Sequence, residues 1–398
     1  MTITAEMLQT AADKVMAETI AVRRHLHKNP ELSGEEKKTA EFVAKQCRAL
    51  GCDIRENIGG HGLLARLLPR KTGGTILLRA DMDALPIQDG KQCDYASSVD
   101  GVSHSCGHDA HTAMLLGTMM MLSRLNPEIP HNVAALFQPS EETTEGAAAM
   151  LKDGVLEGLD AERIYALHVY PYLPSGSIGL KSGAMCAAAD MFEVELTGHG
   201  GHAARPHECI DVILIASHII QALHHIISRQ VDPIHPAVLT IGQINAGHAA
   251  NVIPEKACFS GTVRSLNVKT HEEIRTRMDH IIRQTAETWG ATASFHMRHA
   301  TPMLKNDPAV IEEVRRNISL LSPDTNVIEI DQPSMGGEDF AEFLQHVPGC
   351  LIRLGTGSGP STRYSLHHPC FDIDEEAMRS GIITLATLAI SSIGRKGL

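Results

Sequence analysis

The sequence is short of three features, each of which marks a broad class of protein. Positive charge is in deficit, since 35 Lys and Arg residues against 47 Asp and Glu residues give a formal net charge of −12 at pH 7. That balance argues against a nucleic-acid partner. No uninterrupted apolar run approaches the roughly 18 residues that a membrane span requires. Residues 1–18 lack the basic and apolar regions of a signal peptide. We therefore expect no nucleic-acid partner, no membrane partner and no secretory signal.

The cysteines do not form the pattern of a disulfide framework. There are nine, an odd number scattered without regular spacing, and such usage fits the reducing cytoplasm. Histidine is abundant instead, with 23 residues in a chain of 398. Together with the many acidic residues, it favours metal or proton chemistry. The length exceeds one ordinary hydrophobic core, so we expect roughly two domains.

Alternating helix and strand patterns occupy both ends of the chain. Helices are predicted near 8–26, 35–50, 110–125, 143–152, 308–321 and 374–392, and strands near 63–68, 75–78, 133–137, 164–167 and 351–354. The middle follows the order β-α-β-β-α-β, which is the split βαβ pattern of a ferredoxin-like domain. We therefore predict an α/β fold in which residues 1–185 and 299–398 form a discontinuous mixed-sheet domain. Residues 186–298 form an inserted ferredoxin-like α+β domain.

Four short motifs with metal-binding or acid–base side chains follow apolar strands. They are Asp81-Met82-Asp83, Cys106-Gly107-His108-Asp109-Ala110-His111, Ser140-Glu141-Glu142 and Ala166-Leu167-His168. Because open α/β sheets place their sites beyond the carboxyl ends of their strands, we expect these motifs to meet at one site. Consecutive glutamates have diverging side chains, so one can bind metal while the other acts as a base.

The donor types narrow the choice of metal. A thiolate combined with imidazoles and carboxylates favours Zn²⁺, Ni²⁺ or Co²⁺ over Mg²⁺, and Mn²⁺ also fits. The donors outnumber the four ligands of a closed structural zinc site, which favours two metal ions that share a catalytic water. The carboxylates of Asp81 and Asp83 can orient a ligand histidine.

Each of these residues, taken singly, also has an ordinary structural interpretation. A lone cysteine is usually a small buried hydrophobic residue, and a lone histidine on a strand usually packs in the core. The adjacent Glu141 and Glu142 would favour the N-terminus of the helix that follows, and the acids of residues 335–340 would do the same for a later helix. The joint occurrence of the motifs at strand ends favours the metal site.

The motifs resemble those of the M20 metallopeptidase family. The nearest branch is the amidohydrolases that cleave N-acyl amino acids, namely hippurate hydrolases, aminoacylase-like enzymes and auxin-conjugate hydrolases. The resemblance covers essentially the whole chain. Besides the motifs above, it includes residues 23–32, 200–207, 251–254, 261–264 and 366–369.

The resemblance implies a zinc-peptidase-like catalytic domain with a binuclear metal centre and Glu141 as the general base. The implied ligands of the two divalent ions (Zn, Mn, Ni or Co) are Cys106, His108, Glu142, His168 and His367. Two histidines are adjacent in the last motif, and the choice of His367 over His368 rests on the resemblance alone.

The resemblance also assigns a role to the inserted domain. It implies a lid and dimerisation domain whose His202 reaches the active site of the partner subunit and stabilises the developing oxyanion. Asn251 and Arg264 match positions that contact the substrate, and the planar fork of Arg264 suits a carboxylate. A solvated strand residue is the alternative for Arg264. We expect a homodimer through this domain, or a tetramer.

We therefore predict a cytoplasmic, metal-dependent amidohydrolase that acts on small N-acyl amino acids. A water activated by the metal ions would attack the amide after Glu141 takes its proton. The nearest alternative is a dipeptidase or carboxypeptidase with the same binuclear site. A substrate with a free α-amine would need an acidic partner, and none can be identified in the sequence. A non-catalytic binding module would have lost the base or a ligand, and every one is present.

Overall fold

The computed structural model describes residues 3–67, 74–125 and 131–391. The helices are α1 (Ala5–Lys28), α2 (Lys37–Ala49), α3 (His108–Leu125), α4 (Gly146–Lys152), α5 (Val212–His225), α6 (Val268–Thr288), α7 (Pro308–Leu321), α8 (Phe340–Leu344) and α9 (Ala377–Ile390). The strands up to residue 200 are β1 (Asp53–Ile58), β2 (Gly62–Leu67), β3 (Thr75–Asp81), β4 (Asn132–Gln138), β5 (Ala161–Pro174), β6 (Ile178–Leu180), β7 (Gly183–Cys186) and β8 (Ala188–Thr197). The remaining strands are β9 (Gly201–His202), β10 (Ala237–Ala246), β11 (Val252–Ile253), β12 (Lys256–Ser265), β13 (Thr292–Thr301), β14 (Leu304–Asn306), β15 (Val327–Glu329) and β16 (Gly349–Gly357).

Most predicted elements are present, with ends that differ by a few residues. The helix predicted at 308–321 coincides with α7, whereas the one predicted at 143–152 begins only at Gly146. Thr144 has a φ of +59° and cannot continue a right-handed helix. The last residue of the strand predicted at 63–68 lies outside the described residues.

The chain packs into two compact units. Unit 1 comprises residues 1–185, 305–332 and 339–398, and unit 2 comprises residues 186–304 and 333–338. The second boundary therefore falls at Leu304 instead of residue 298, because β13 continues to Thr301. The segment 333–338 joins unit 2 because the backbone N–H of Ala187 lies 3.0 Å from the carbonyl oxygen of Ser334.

Unit 1 is built on an eight-stranded mixed sheet with the order β1-β2-β4-β3-β5-β16-β6-β15. Its centre is parallel, since β3 pairs in parallel with β4 and β5, and β5 pairs in parallel with β16. Every residue of β3 and β16 is buried, as expected for parallel strands covered on both faces. The helices α1, α3 and α9 contribute apolar residues to the same core as the sheet.

Unit 2 has an antiparallel sheet with the order β10-β12-β8-β13, packed against α5 and α6. Apart from the two-residue strands β9 and β11, its elements follow the order β-α-β-β-α-β along the chain. The alternation in β8 matches its environment, because Phe192 and Val194 are buried and Glu193 is exposed. A separate two-stranded ladder joins β9 to β11, with His202 opposite Val252.

One helical segment among the described residues, Val212–Gln230, is long and apolar enough by length and composition to cross a membrane. One face of this segment is buried in the core of unit 2, where Ile215, Ile219 and Leu223 pack against the sheet. We interpret it as an amphipathic helix that packs one face against the sheet of unit 2, and histidines at 218, 224 and 225 interrupt its apolar run.

Candidate metal centre

The motif residues come together because neighbouring parallel strands of unit 1 end side by side. The pairing of β3 with β4 places Asp81 opposite Gln138, and β5 lies on the other side of β3. The loops after β3 and β4 therefore carry Asp83 and Glu141 to the same edge of the sheet, where α3 begins at His108.

The structure brings all five predicted ligands and the predicted base into one cluster. Within each of the following groups, the possible ligand atoms lie within 4.8 Å of one another: Cys106 with His108 and His168, Cys106 with Glu142 and His367, and His108 with Glu141 and Glu142. Most of these side chains are buried, whereas the side chain of His367 is 51% exposed. The cluster is therefore open to the surface on the side of His367.

The hydrogen bonds of His108 and His168 leave one nitrogen of each imidazole for a metal. Nδ1 of His108 lies 3.0 Å from the carbonyl oxygen of Asp83 and 3.1 Å from its Oδ1 atom. Nδ1 of His168 lies 2.7 Å from the carbonyl oxygen of Val169. Because a carbonyl oxygen only accepts, Nδ1 carries a proton in both rings, and Nε2 is the atom of each ring that can bind a metal. The predicted orienting role of Asp83 thus has its geometry in the contact with His108.

The Nε2 atoms of both rings point into the cluster. Nε2 of His108 is buried and has no hydrogen-bond partner within the part of the chain that the structure describes. It lies 3.7 Å from Oε1 of Glu142 and 4.0 Å from Oε2 of Glu141. Nε2 of His168 lies 3.6 Å from the Sγ atom of Cys106.

His111 is close to the cluster but both of its nitrogens are engaged. Nδ1 donates to Oδ1 of Asp81 at 2.6 Å, and Nε2 accepts from the backbone N–H of Val169 at 2.9 Å. The other oxygen of Asp81 accepts from Arg79 at 2.7 Å. His111 therefore links Asp81 to the backbone of Val169 beside the site. It has no lone pair left for a metal.

The two adjacent histidines of the last motif have different surroundings. His367 has a φ of +66°, and its Nε2 atom lies 3.4 Å from Oε1 of Glu142. Nδ1 of His368 accepts from the backbone N–H of Cys370 at 3.0 Å, and its ring stacks on Tyr364. The left-handed backbone of His367 directs its imidazole to the cluster. The imidazole of His368 points away from the cluster.

Local electrostatics favour a cation at the cluster. Burial by itself lowers the pKa of the His108 imidazole, but Asp81, Cys106 and the hydrogen bond with Asp83 outweigh burial and raise that pKa well above its usual range. Burial, helped by the Glu142 carboxylate, raises the pKa of the Cys106 thiol to about 12. A divalent ion would satisfy the same acidic groups and displace both protons, because metal binding releases protons from its ligands.

The donor set therefore fits divalent metal ions. Imidazole Nε2 atoms, a thiol and carboxylates converge, and a buried imidazole nitrogen has no other partner among the described residues. Burial, reinforced by His111 and Arg353, holds the pKa of His168 well below its usual range, so this imidazole is in the neutral form that binds metal.

Among the acids of residues 335–340, Asp339 lies at the N-cap position of α8, as expected, and has a further role. Asp339 is fully buried, and its side chain makes no capping hydrogen bond to α8. Its carboxylate accepts from Gln138 at 2.7 Å, from Arg79 at 3.1 Å and from the backbone N–H of Ala147 at 3.0 Å. Asp339 thus braces the β4–α4 connection. Sequence patterns missed it because its partners are some 200 residues away along the chain.

A second buried network behind the cluster was not predicted. Arg23 on α1 is 1% exposed and donates to Asp109 at 2.8 Å and to Asp372 at 2.6 Å. Nδ1 of His27 lies 2.7 Å from the same oxygen of Asp109. Because Asp109 directly follows His108, this network fixes the start of α3. The signals in the sequence were the family motif at residues 23–32 and an arginine at a helix position that faces the core.

The remaining predicted site residues belong to unit 2. His202 is the last residue of β9 and Asn251 directly precedes β11, and the N–H of Ala203 donates to the carbonyl oxygen of Asn251. His202 is exposed, and its Nδ1 atom accepts from the N–H of Ala204 at 3.1 Å, so Nε2 carries a proton that can be donated. Arg264 on β12 is half-buried and donates to the carbonyl oxygen of Met335 at 3.0 Å.

Comparison with known proteins gives a consistent set of matches. Residues 77–391 match Peptidase family M20/M25/M40. The chain is 39% identical over 364 residues to the N-acetyl-L-cysteine deacetylase of Bacillus subtilis strain 168, covering 90% of this chain and 84% of that protein. It is 39% identical over 307 residues to the N-acyl-L-amino acid amidohydrolase of Geobacillus stearothermophilus, covering 77% and 82%. It is also 36% identical over 390 residues to thermostable carboxypeptidase 2 of Saccharolobus solfataricus, covering 97% and 98%.

Solved structures share the fold. A dinuclear metal-binding peptidase of the M20 family from Bacillus subtilis superposes with a TM-score of 0.81 at 33% identity, covering 95% of this chain and 98% of that chain. A solved structure from methicillin-resistant Staphylococcus aureus has a TM-score of 0.92 at 29% identity, covering 97% and 99%. The mixed α/β fold with its large mixed sheet is thus the fold of these proteins.

Proposed function

The chain belongs to peptidase family M20/M25/M40 and is a metal-dependent amidohydrolase, and we propose that it hydrolyses the amide bond of N-acyl amino acids. The observation that carries this proposal is the convergence of thiol, imidazole and carboxylate donors around a buried imidazole nitrogen that has no hydrogen-bond partner among the described residues. Relatives named for deacetylation of N-acetylcysteine and for hydrolysis of N-acyl-L-amino acids support the substrate class.

We assign the ligand role to five residues and the base to one. The proposed ligands of two divalent ions are Cys106, His108, Glu142, His168 and His367. Bound ions would lower the pKa of a water molecule and polarise the amide carbonyl. Glu141 takes the proton of the attacking water and later gives it to the leaving amine. A neighbour in the same fold that is named as dinuclear supports the number of ions, and Zn, Mn, Ni and Co all suit these donors.

Residues of unit 2 supply the proposed substrate contacts. The guanidinium of Arg264 suits the carboxylate of the amino-acid product, because its planar fork pairs with a carboxylate through two hydrogen bonds. Asn251 adds an amide contact. His202 of the partner subunit donates its Nε2 proton to the developing oxyanion. This assignment makes unit 2 a lid and the interface of a homodimer, or of a tetramer built from such dimers.

The composition supports a cytoplasmic location. All nine cysteines lie within the described residues and have free thiols, as in proteins of reducing compartments. A thiol among the proposed ligands also works best where it stays reduced.

A matched pair of substrates tests the proposal. N-acetyl-L-methionine and glycyl-L-methionine differ only by the α-amine, and none of the roles proposed above provides an acidic partner for that amine. We expect the N-acetyl substrate to be hydrolysed with a kcat/KM roughly tenfold higher or more, because a buried ammonium without a partner is costly. The panel adds N-benzoyl and indole-acetyl amino acids, each with Mn²⁺, Zn²⁺, Ni²⁺ or Co²⁺. Faster hydrolysis of the dipeptide, or no hydrolysis of any N-acyl amino acid, would overturn the proposal.

The alternative is a carboxypeptidase with the same site, and a relative of that name at 36% identity favours it. N-acetylglycyl-L-methionine discriminates, because a carboxypeptidase releases methionine from it. An N-acyl amino acid hydrolase should prefer N-acetyl-L-methionine, in which the group on the methionine nitrogen is a small acetyl group and not an acylated amino acid. A higher kcat/KM for the longer substrate would establish the carboxypeptidase.

A further inference from the structure

The loop that carries the paired glutamates has a strained backbone. This glutamate loop, residues 139–145, joins β4 to α4. Ser140 has a φ of +56° and Thr144 has a φ of +59°. Residues other than glycine rarely adopt this left-handed backbone conformation. Such strain persists only where the surrounding structure enforces it. The loop therefore needs contacts that hold Glu141 and Glu142 in place.

Some of these contacts lie within the loop. The N–H groups of Glu145 and Gly146 donate to the carbonyl oxygen of Ser140 at 3.3 and 3.2 Å, and the N–H of Thr144 donates to the carbonyl oxygen of Glu141 at 2.7 Å. These bonds close the loop on itself. They leave the N–H groups of Ser140 and Glu142 to be held from outside.

Buried carboxylates from three other parts of unit 1 accept the outward N–H groups. Asp83 accepts from Glu142 at 2.9 Å, and Asp339 accepts from Ala147 at 3.0 Å, just beyond the loop. Glu36 accepts from the N–H of Ser140 at 2.8 Å. Of the three, Glu36 contacts the residue with the left-handed backbone itself.

Among the described residues, Glu36 makes its side-chain hydrogen bonds through Oε1 alone. It precedes α2 at the N-cap position, yet its carboxylate makes no capping bond to that helix. Oε1 accepts from Ser140 and, at 3.0 Å, from the N–H of Gly34, whereas the buried Oε2 has no hydrogen-bond partner among the described residues. Burial raises the pKa of this carboxyl group despite those bonds. A fully buried acid with one unused oxygen costs stability, so a functional reason for it is needed.

We propose that Glu36 is a positioning residue that holds Ser140 in its left-handed conformation and thereby aims Glu141 and Glu142 into the metal centre. This inference rests on the roles proposed for those two glutamates. Within the described part of the chain, the carboxylate of Glu36 is hydrogen-bonded to Gly34 and Ser140 and to none of the proposed ligand atoms. The positioning role requires a hydrogen-bond acceptor at the position of Oε1 and does not require a negative charge.

Two variants of similar shape separate the effect of the hydrogen-bond acceptor from the effect of side-chain volume. Glu36→Gln keeps an acceptor oxygen, whereas Glu36→Met fills the same space without one. We expect Glu36→Gln to stay within roughly threefold of wild-type kcat. Glu36→Met should lose roughly 10- to 100-fold in kcat, as is typical when the support of a metal site is removed, with little change in KM. Glu35→Met, at the exposed neighbouring position, is the control and should match the wild type.

A second substitution tests the backbone argument. Ser140→Gly removes the conformational penalty, because glycine adopts positive φ freely. Added to Glu36→Met, it should restore kcat severalfold, a result that a merely structural role of Glu36 would not produce. If Glu36→Met does not yield folded protein, Glu36→Asp replaces it, because the shorter side chain withdraws its acceptor from Ser140.

The affinity of the metal-free protein for Co²⁺ gives a readout that does not depend on turnover. We expect Glu36→Met to weaken Co²⁺ binding roughly tenfold or more and Glu36→Gln to leave it unchanged. If the wild type hydrolyses no N-acyl amino acid, the proposed function fails, and Co²⁺ affinity alone decides the positioning role. Equal kcat and Co²⁺ affinity in the Gln and Met variants, or no recovery with Ser140→Gly, would overturn the inference.

Discussion

Glu141 and Glu142 are neighbours of the same residue type in different surroundings. Glu142 lies among ligand atoms, with His367 at 3.4 Å and His108 at 3.7 Å. The carboxylate of Glu141 is 4.0 Å from His108 and belongs to no group with Cys106 or His367. This difference favours Glu142 as the ligand and Glu141 as the base.

The division of roles can be tested with Glu141→Gln and Glu142→Gln. Glu141→Gln should retain its metal while kcat falls by a factor of roughly 10² or more, because the base is gone. Glu142→Gln should lose metal affinity, since an amide is a poorer ligand than a carboxylate. The metal content of both purified variants, measured beside kcat, is the readout. Equal metal loss in the two variants would refute the assignment.

Elements with a strong sequence period were predictable, and short or edge elements were not. The strand β8 alternates in sequence as it does in burial, and α7 was predicted to the residue. The strands β6 and β15, at one edge of the large sheet, are three residues each. Three residues are too few to display a period, so these strands depend on tertiary pairing. The start of α4 was misplaced because the strain at Thr144 has no composition signal.

The packing of α1 against α3 depends on a buried charge that the hydrophobic pattern does not reveal. Arg23 reaches across to Asp109 on α3 and to Asp372 and Glu375, just before α9. Although burial opposes it, Arg23 lowers the pKa of Asp372 and helps to hold that of Asp109 well below its usual range. Such depressed pKa values stabilise the fold at pH values above about 4, the ordinary pKa of Asp.

The substitution Arg23→Met should therefore destabilise the fold in a pH-dependent manner. Leaving Asp109 buried with less compensation should cost about 3–5 kcal/mol of unfolding free energy at neutral pH. The deficit should shrink as the pH falls below about 4, where the carboxylates become protonated in the unfolded chain. Urea unfolding at several pH values measures this difference.

The adjacent arginine is a matched control. Arg24 pairs with the same Glu375, but its side chain is 49% exposed. Arg24→Met should cost no more than about 1 kcal/mol, as for other surface ion pairs. If the two variants were equally stable, or if the deficit of Arg23→Met did not depend on pH, the buried network would not have the role described.

At the scale of the whole molecule, the sequence predicted which residues form the cluster better than it predicted what supports them. Strand ends and family motifs pointed to Cys106 and His168, and the structure brings them within 3.6 Å. The choice between His367 and His368 needed either the resemblance or the left-handed φ of His367. Supports such as Asp339 and Glu36 act through contacts with residues far away in sequence, which no local pattern encodes.

The assignment of His202 to the partner's active site predicts complementation between inactive subunits. Glu141→Gln lacks the base and His202→Ala lacks the oxyanion donor, so each alone should be nearly inactive. In a mixed dimer, the site with an intact Glu141 receives His202 from the Glu141→Gln subunit. Random pairing makes about half of the dimers mixed, each with one complete site, so activity should recover to roughly a quarter of wild type.

The complementation experiment requires proof of subunit exchange, which a tagged partner captured with its untagged counterpart supplies. Subunits that exchange without any gain above the sum of the two variants would show that His202 acts within its own chain or not at all. Absence of a dimer in solution would contradict the assignment directly.

The proposed function requires that the cluster around His108 binds two divalent ions and that these ions make the chain an N-acyl amino acid hydrolase. The most direct measurement strips the wild-type enzyme with a chelator and returns Mn²⁺ or Co²⁺ in increments while hydrolysis of N-acetyl-L-methionine is followed. We expect no turnover without metal and a rise that levels off near two ions per chain. Turnover by the metal-free protein, or none by the fully metal-loaded protein, would contradict the claim.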